Sequence, residues 1–172
     1  MALEERGFAH SIQEPAAVFL ERIDVFSMGF LIATDMDAQV LGYICSEIWP
    51  YRVRIQPESF ALGHSIRDRH TSSGTELYIS SMAVSPTARG QGLGLRLLSD
   101  CLQRAVASHP LITSAILLVN ERWTSAARIY RQLGFAEIEA FTQFFTNADG
   151  SGSDGHVMRK WFTSFPCLKV ST

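Results

Sequence analysis

Three glycines at alternate positions lie in the segment ARGQGLG, which runs from Ala88 to Gly94. The segment follows the strand-like run LYISSMAV and precedes a leucine-rich run, so it joins a predicted strand to the start of a predicted helix. The first N–H groups of a helix lack partners, and the helix dipole favours an anion beside them. Glycines let a phosphate approach those amides closely, and an arginine adds a cation. The candidate phosphate-binding residues are Arg89, Gly90, Gln91, Gly92, Leu93 and Gly94.

The spacing of these glycines restricts the class of phosphate-bearing ligand that the loop could bind. The third glycine comes one residue too early for the G-x-G-x-x-G pattern of dinucleotide-binding domains, and no G-K-[S/T] follows as in a P-loop. A pyrophosphate held without magnesium chemistry is the ligand that fits. A tight strand-to-helix turn that needs glycine for its backbone dihedrals would produce the same triplet, and this alternative stays open.

The elements around the loop alternate between helices and strands. In chain order the sequence predicts a helix (15–26), a hairpin of two strands (28–34 and 40–48), a long polar loop (49–74), a strand (77–84), a helix (92–108), a strand (115–120), a helix ending at Gly134, and two strands (135–145 and 156–162). This order predicts an α/β or α+β layer fold on a mixed sheet, and the length of 172 residues predicts one domain over 1–172. The long loop is expected to line a site.

Composition excludes several classes of partner. The net charge is −2 and the basic residues are scattered, which argues against a nucleic-acid partner. The first residues do not resemble a secretory signal, and no apolar run approaches the roughly 18 residues of a membrane span. We therefore expect a cytoplasmic protein with no membrane partner. The cysteines Cys45, Cys101 and Cys167 are far apart and lack close histidines, so neither a disulfide framework nor a metal site is predicted.

Two segments carry a family resemblance. RGQGLG at Arg89 to Gly94 resembles the [Q/R]-x-x-G-x-[G/A] signature of the GNAT N-acetyltransferases, whose loop holds the pyrophosphate of acetyl-CoA. ILLVNERWTSAARIYRQLGF, from Ile116 to Phe135, resembles the second family segment with its Y-x-x-x-G-F ending. The resemblance implies a mixed, mostly antiparallel GNAT sheet flanked by helices, with acetyl-CoA as co-substrate and no metal.

The resemblance also implies roles for individual residues. The strand residues Met82, Ala83 and Val84 would guide the pantetheine arm of acetyl-CoA. Tyr130 takes the place of the family's general acid. A thiolate of pKa about 8.5 leaves more easily when a phenol of pKa about 10 gives it a proton. The alternative for Tyr130 is a core aromatic on the apolar stripe of its helix.

The sequence departs from the family pattern at two places. Many relatives carry Asn seven residues before this Tyr, where this chain has Trp123, so Asn120 or Ser125 would have to replace its contact with the cofactor. The segment from Ala2 to Ile23 resembles the family's first two helices, but the family's first strand is missing before them. The strand 28–34 would then be an open sheet edge, and we expect a second copy in a homodimer, or another segment, to cover it.

A base is needed because an alkylammonium of pKa near 10 is not a nucleophile at pH 7. On a regular strand, Tyr78, Ser80 and Met82 share one face with Glu76 just below, so Glu76 and Tyr78 are catalytic candidates through a water chain. Other candidate bases in the long loop are Glu58, His64 and His70. For each of these, a surface or structural role is the alternative.

The acceptor is predicted only as a class. IQPESFALG is faintly similar to arylalkylamine N-acetyltransferases, but their two strand histidines correspond to Tyr78 and Ser80 here. The sequence predicts direct transfer of an acetyl group, within a ternary complex, to a primary amine that is a small alkylamine, an arylalkylamine or a peptide amine. The alternatives are a non-catalytic acyl-CoA-binding regulatory module and a nucleotide-binding domain.

Overall fold

A computed structural model describes residues 3–4, 12–147 and 149–162. The helices are α1 (Ala16–Phe26), α2 (Leu93–Ser108) and α3 (Thr124–Gln132), and the strands are β1 (Phe30–Thr34), β2 (Val40–Trp49), β3 (Glu76–Val84), β4 (Ser114–Asn120), β5 (Ala136–Thr146) and β6 (Gly152–Trp161). The predicted elements are therefore confirmed to within a few residues at each end. Cys167 and most of the segment resembling the family's first helix lie outside the described residues.

The six strands form one sheet in the order β1-β2-β3-β4-β6-β5. Among the strands of the described residues, β3 and β4 form the one parallel pair, because α2 connects them as a crossover helix. The other pairings there are antiparallel. The parallel pairing joins 76–79 to 114–117 and stops there, so the end of β3 diverges from β4. This architecture confirms the mixed, mostly antiparallel α/β sheet.

A β-bulge interrupts β3 one residue after its pairing with β4 ends. Ser46 of β2 faces Ile79, whereas the adjacent Cys45 faces Ser81, so Ser80 is an extra residue on β3. A bulge changes which residues share a face. Met82 consequently packs against the same core cluster as Ile79, while the ring of Tyr78 belongs to a cluster on the other face. The prediction that Tyr78, Ser80 and Met82 share one face is therefore wrong.

Strand β1 forms one edge of the sheet, and in the described ranges it pairs with β2 alone. Helix α1 precedes it directly through a short turn at 27–29, and Ile32 on the strand is 54% exposed. The edge predicted from the sequence is thus present. That a second copy covers it stays a prediction.

Helix α2 supplies much of the core. Its leucine-rich face is buried, through Leu97, Leu98, Cys101, Leu102 and Ala105. These side chains pack on β2, β3 and β4, with Ile44, Leu77 and Leu117 in the same cluster. Burial at about 25 cal/mol per Å² of apolar surface holds the crossover helix, and with it the glycine loop, against the sheet. Of the helices in the described part of the chain, none has the length and apolarity needed to cross a membrane.

Candidate active site

A cleft of about 890 Å³ opens where β3 diverges from β4. Its walls are the end of β3, the glycine loop, the first turn of α2, one side of α3, and parts of β4, β5 and the long loop. Most of the predicted site residues line it, namely Tyr78, Met82, Ala83, Val84, Arg89, Gly90, Gly92, Leu93, Gly94, Ser125 and Tyr130. Glu76, Gln91 and Asn120 are not among its lining residues.

The glycine loop has the geometry of an anion site. Gly90 and Gly92 adopt left-handed φ angles of 77° and 78°, which favour glycine, and a Cβ on either would point into open space. Gly92 is the N-cap of α2 and offers no side-chain cap, so the first N–H groups of the helix are available to a ligand. The turn does require glycine, as the alternative interpretation stated, and the same conformation exposes the amides to the cleft.

The third glycine has a different role, because a Cβ on Gly94 would lie 3.3 Å from Cδ1 of Ile129. Gly94 therefore lets α2 pack closely on α3. The Nε of Arg89 donates to the carbonyl oxygen of Val84 at 3.3 Å, while its side chain is exposed at the rim. Arg122 and Arg128 add two further exposed cations to the lining.

Beyond residue 79 the backbone of β3 has no strand partner on its β4 side in the described part of the chain. Met82 and Val84 lie on this stretch, together with the buried Ala83. An extended ligand could pair with such an open strand edge through main-chain hydrogen bonds. The residues present therefore fit a molecule with an extended amide-bearing arm and a pyrophosphate, as acetyl-CoA has.

Two predicted cofactor contacts lie outside the cleft. The Oδ1 of Asn120 accepts the backbone N–H of Arg122 at 2.9 Å, and Asn120 is only 3% exposed. The Nε2 of Gln91 donates to the carbonyl of Thr87 at 3.2 Å on the protein surface. Ser125 is exposed in the first turn of α3 and does line the cleft, so of the two replacements predicted for the family's Asn the geometry favours Ser125.

Tyr130 is both a core aromatic and a residue of the cleft, so its position is compatible with both roles that the sequence allowed, the core aromatic and the general acid. Its ring packs in the main core cluster, 6.1 Å from the ring of Phe135, and the residue also lines the cleft. Burial raises the pKa of Tyr130 to about 12. The phenol is therefore neutral at physiological pH and retains the proton that a general acid must give.

Glu76, a predicted catalytic base, is held in a buried ion pair away from the cleft. Its Oε1 accepts hydrogen bonds from Nε of Arg159 at 2.7 Å and from Oγ of Ser114 at 2.8 Å. Glu76 begins β3, where pairing with β4 is intact, whereas the cleft opens at the other end of the strand. We therefore do not retain Glu76 as a base.

Tyr78 does reach the cleft, but its ring stacks on Trp49 at 3.9 Å and burial raises the pKa of Tyr78 well above its usual value.

None of the candidate bases in the long loop lines the cleft. The side chain of Glu58 is exposed to solvent. Nε2 of His64 lies 2.8 Å from Glu47 and its Nδ1 lies 2.9 Å from the carbonyl oxygen of Ala61. Burial lowers the pKa of His64, but the hydrogen bond and the charge of Glu47 outweigh burial, so its pKa is raised. Nδ1 of His70 accepts the N–H of Ile48 at 3.1 Å, and burial lowers the pKa of His70.

Several cleft residues were not predicted from the sequence. Among them are Ile12, Glu14, Phe60, Leu62, Ser81, Arg122, Arg128, Phe144 and Phe145. Phe60 and Leu62 come from the long loop, whose length alone indicated that it would line a site. For Glu14 and Ser81 the sequence carried no signal, because the first reaches the cleft through the path of the chain before α1 and the second through the bulge in β3.

Comparison with known proteins identifies the family. The model of the acetyltransferase (GNAT) domain matches residues 27–137, which include β1 to α3 and most of the cleft. The chain belongs to the GNAT acetyltransferase family. No curated protein matches the sequence.

Solved structures share the GNAT fold. The GphF GNAT-like decarboxylase in complex with isobutyryl-CoA has a TM-score of 0.71 and 16% identity, over 93% of this chain and 91% of that one. The ribosomal-protein-S18-alanine N-acetyltransferase from Escherichia coli has a TM-score of 0.69 and 17% identity, over 99% and 90%. The NatC complex bound to Gag peptide and CoA has a TM-score of 0.69 and 17% identity, over 94% and 87%. At these identities the likeness shows the fold of the GNAT domain.

Proposed function

We propose that this GNAT domain transfers the acetyl group of acetyl-CoA directly to a primary amine. The observation that carries the proposal is that one cleft is lined by the glycine loop, by the open edge of β3 and by the neutral phenol of Tyr130. The loop amides and Arg89 would hold the pyrophosphate, and the edge of β3 at Met82 and Val84 would hold the pantetheine arm.

In the proposed reaction the nitrogen of the amine attacks the acyl carbon, and the carbon–sulfur bond breaks. The departing sulfur takes the phenolic proton of Tyr130, which then regains a proton from the nitrogen by way of solvent. A general acid of this kind contributes about 10² to 10⁴ in rate. The direct reaction needs acetyl-CoA and the amine bound together, and a single cleft of about 890 Å³ contains both the glycine loop and the aromatic side chains of Phe60 and Phe144.

The side chains at the end of the cleft away from the glycine loop favour an amine acceptor with an apolar group. Phe60, Leu62, Tyr78 and Phe144 give this end an apolar and aromatic lining. Such a lining suits an amine with an alkyl or arylalkyl group, or a peptide amine whose first side chain is apolar. Among the fold neighbours, the NatC structure contains a peptide and CoA, which is compatible with a peptide acceptor.

The test is a pair of measurements on the full chain. We expect CoA and acetyl-CoA, but not ATP or NAD, to raise the Tm, because a ligand that binds only the folded state stabilises it. We then expect thiol release from acetyl-CoA with at least one member of a panel of alkylamines, arylalkylamines and short peptides. Stabilisation by CoA with no thiol release from the whole panel would favour a non-catalytic acyl-CoA-binding module, and stabilisation by ATP or NAD alone would favour a nucleotide-binding domain.

A further inference from the structure

A chain of hydrogen bonds leads from the cleft to a buried carboxylate. Ser81, which lines the cleft, has its Oγ 2.9 Å from the hydroxyl oxygen of Tyr43 on β2. The Tyr43 hydroxyl donates to Oε1 of Glu4, and the Oε2 of Glu4 accepts the backbone N–H of Glu14 at 3.1 Å. Glu4 is only 3% exposed, and the hydroxyls of Tyr43 and Ser81 connect its Oε1 to the cleft.

The hydrogen bonds in this chain all have the same direction. A tyrosine hydroxyl has one proton, and since Tyr43 gives it to Glu4, the Ser81 hydroxyl must donate to Tyr43. The lone pairs of Ser81 then remain available to a donor in the cleft. Both oxygens of Glu4 accept hydrogen bonds, as an ionised carboxylate does. Every proton is therefore placed to shift from the cleft toward Glu4.

We propose that Ser81, Tyr43 and Glu4 relay a proton from the acceptor ammonium to Glu4 and so supply the base for acetyl transfer. This inference rests on the proposed function. The ammonium gives one proton to Ser81 Oγ as Ser81 gives its own to Tyr43 and Tyr43 gives its own to Glu4. The nitrogen lone pair that is freed forms the bond to the acyl carbon. Glu4 ends the transfer as a carboxylic acid. Once the amide product has left, the proton returns through Tyr43 and Ser81 to solvent in the cleft.

The surroundings of Glu4 suit a proton acceptor. Burial raises the pKa of Glu4, the hydrogen bond from Tyr43 lowers it, and the nearby charges of Glu14 and Arg22 act in opposite directions. A carboxylate whose pKa lies closer to neutral is a better base at physiological pH. Burial, with the neighbouring Cys45, also raises the pKa of Tyr43, so the phenol stays neutral and takes one proton as it gives another.

Ser80 adds a second polar group at the entrance to the relay. Its Oγ is buried, lines the same cleft, and has no hydrogen-bond partner in the described part of the chain. A buried hydroxyl without a partner costs free energy unless a ligand satisfies it. Ser80 and Ser81 follow each other in the chain, and the bulge places both of them opposite one residue of β2. Ser80 therefore places a hydroxyl without a described partner beside Ser81 in the wall of the cleft.

Tyr43→Phe tests the relay, because it removes the bridging hydroxyl and keeps the ring beside Phe19 and Phe30 at 5.5 and 6.0 Å. With the best acceptor of the amine panel, we expect kcat at about pH 7 to fall about a hundredfold, while stabilisation by CoA is unchanged. The loss should shrink as the pH approaches the amine pKa near 10, because solvent then supplies the neutral amine. Combining this change with Glu4→Gln should cost no more than either alone.

The matched control is Tyr51→Phe, which removes the same atom from a tyrosine that packs on Trp161 away from the cleft and should keep the wild-type kcat. If Tyr43→Phe is not folded like wild type, Ser81→Ala makes the same test at the other end of the hydrogen bond. The relay is overturned if the folded variants keep the wild-type kcat, or lose activity by the same factor at every pH. A wild type that turns over no amine would instead overturn the proposed function, and the relay with it.

Discussion

The carboxylate of Glu76 and the guanidinium of Arg159 form a buried pair on neighbouring parts of the sheet. Nε of Arg159 lies 2.7 Å from Oε1 and its Nη2 lies 3.2 Å from Oε2, and both side chains are at most 6% exposed. The Arg159 guanidinium also donates to the carbonyl of Arg52. The pair thus ties the start of β3 to β6 and to the long loop, far from the open end of β3.

The first prediction follows from this pair. Glu76→Gln leaves the buried guanidinium of Arg159 without its counter-charge, so we expect the free energy of unfolding to fall by about 3 to 5 kcal/mol. In urea titrations, the exposed control Glu139→Gln should stay within about 0.5 kcal/mol of wild type. At a temperature where Glu76→Gln is folded, its kcat should match that of wild type. A large loss of kcat in the folded variant would restore Glu76 as a catalytic candidate.

The second prediction concerns Tyr130. Tyr130→Phe keeps the ring in the core and removes the proton donor, so we expect kcat to fall about 10² to 10⁴-fold with the affinity for acetyl-CoA unchanged. Because burial raises the pKa of Tyr130 to about 12, the wild-type phenol should stay protonated and active as an acid up to about pH 10. Steady-state kinetics at several pH values check both points. Unchanged turnover in the variant would remove Tyr130 from the mechanism.

The third prediction separates ligand binding from backbone strain in the glycine loop. Gly92→Ala forces a Cβ into a left-handed conformation at about 1 to 2 kcal/mol and places it where the phosphate would approach. Gly150→Ala is the matched control, because Gly150 has the same φ of 78° with the same open space around it and does not line the cleft. Urea unfolding should show similar losses for both. Calorimetry with CoA should show weaker binding, by about tenfold, for Gly92→Ala alone.

The fourth prediction is a pH dependence of stability with opposite signs at two histidines. The pKa of His64 is raised in the folded protein, so its stabilisation is present below the unfolded pKa of about 6.5 and is lost as the pH rises through the folded pKa. The pKa of His70 is lowered, so its contribution is present above about 6.5 and is lost as the pH falls through the folded pKa.

These signs are measured by comparing each variant with wild type in urea at about pH 5.5 and about pH 9. The difference between wild type and His64→Gln should be larger at the acidic pH, and that between wild type and His70→Gln larger at the alkaline pH. Differences that do not change with pH would show that neither ring changes its protonation on folding. Either variant should leave the cleft intact, since neither histidine lines it.

The sequence by itself determined the order of elements, the class of sheet and the position of the glycine loop. Local signals carry this information, because a strand, a turn and an amphipathic helix each depend on neighbouring residues. Two motifs with fixed spacing were also enough to place Tyr130 and the loop in one cleft. The predicted edge strand at 28–34 was found for the same reason.

Tertiary structure alone decided which other polar and charged side chains enter the cleft and which form structural pairs elsewhere. Glu76 became a structural ion pair because Arg159, far away in the chain, lies across from it. Ser81 entered the cleft because a one-residue bulge in β3 changed the alternation on which the sequence prediction depended. The contact between Tyr43 and Glu4 joins residues 39 positions apart in the chain. Such contacts depend on how separate segments pack in space, and no local pattern records them.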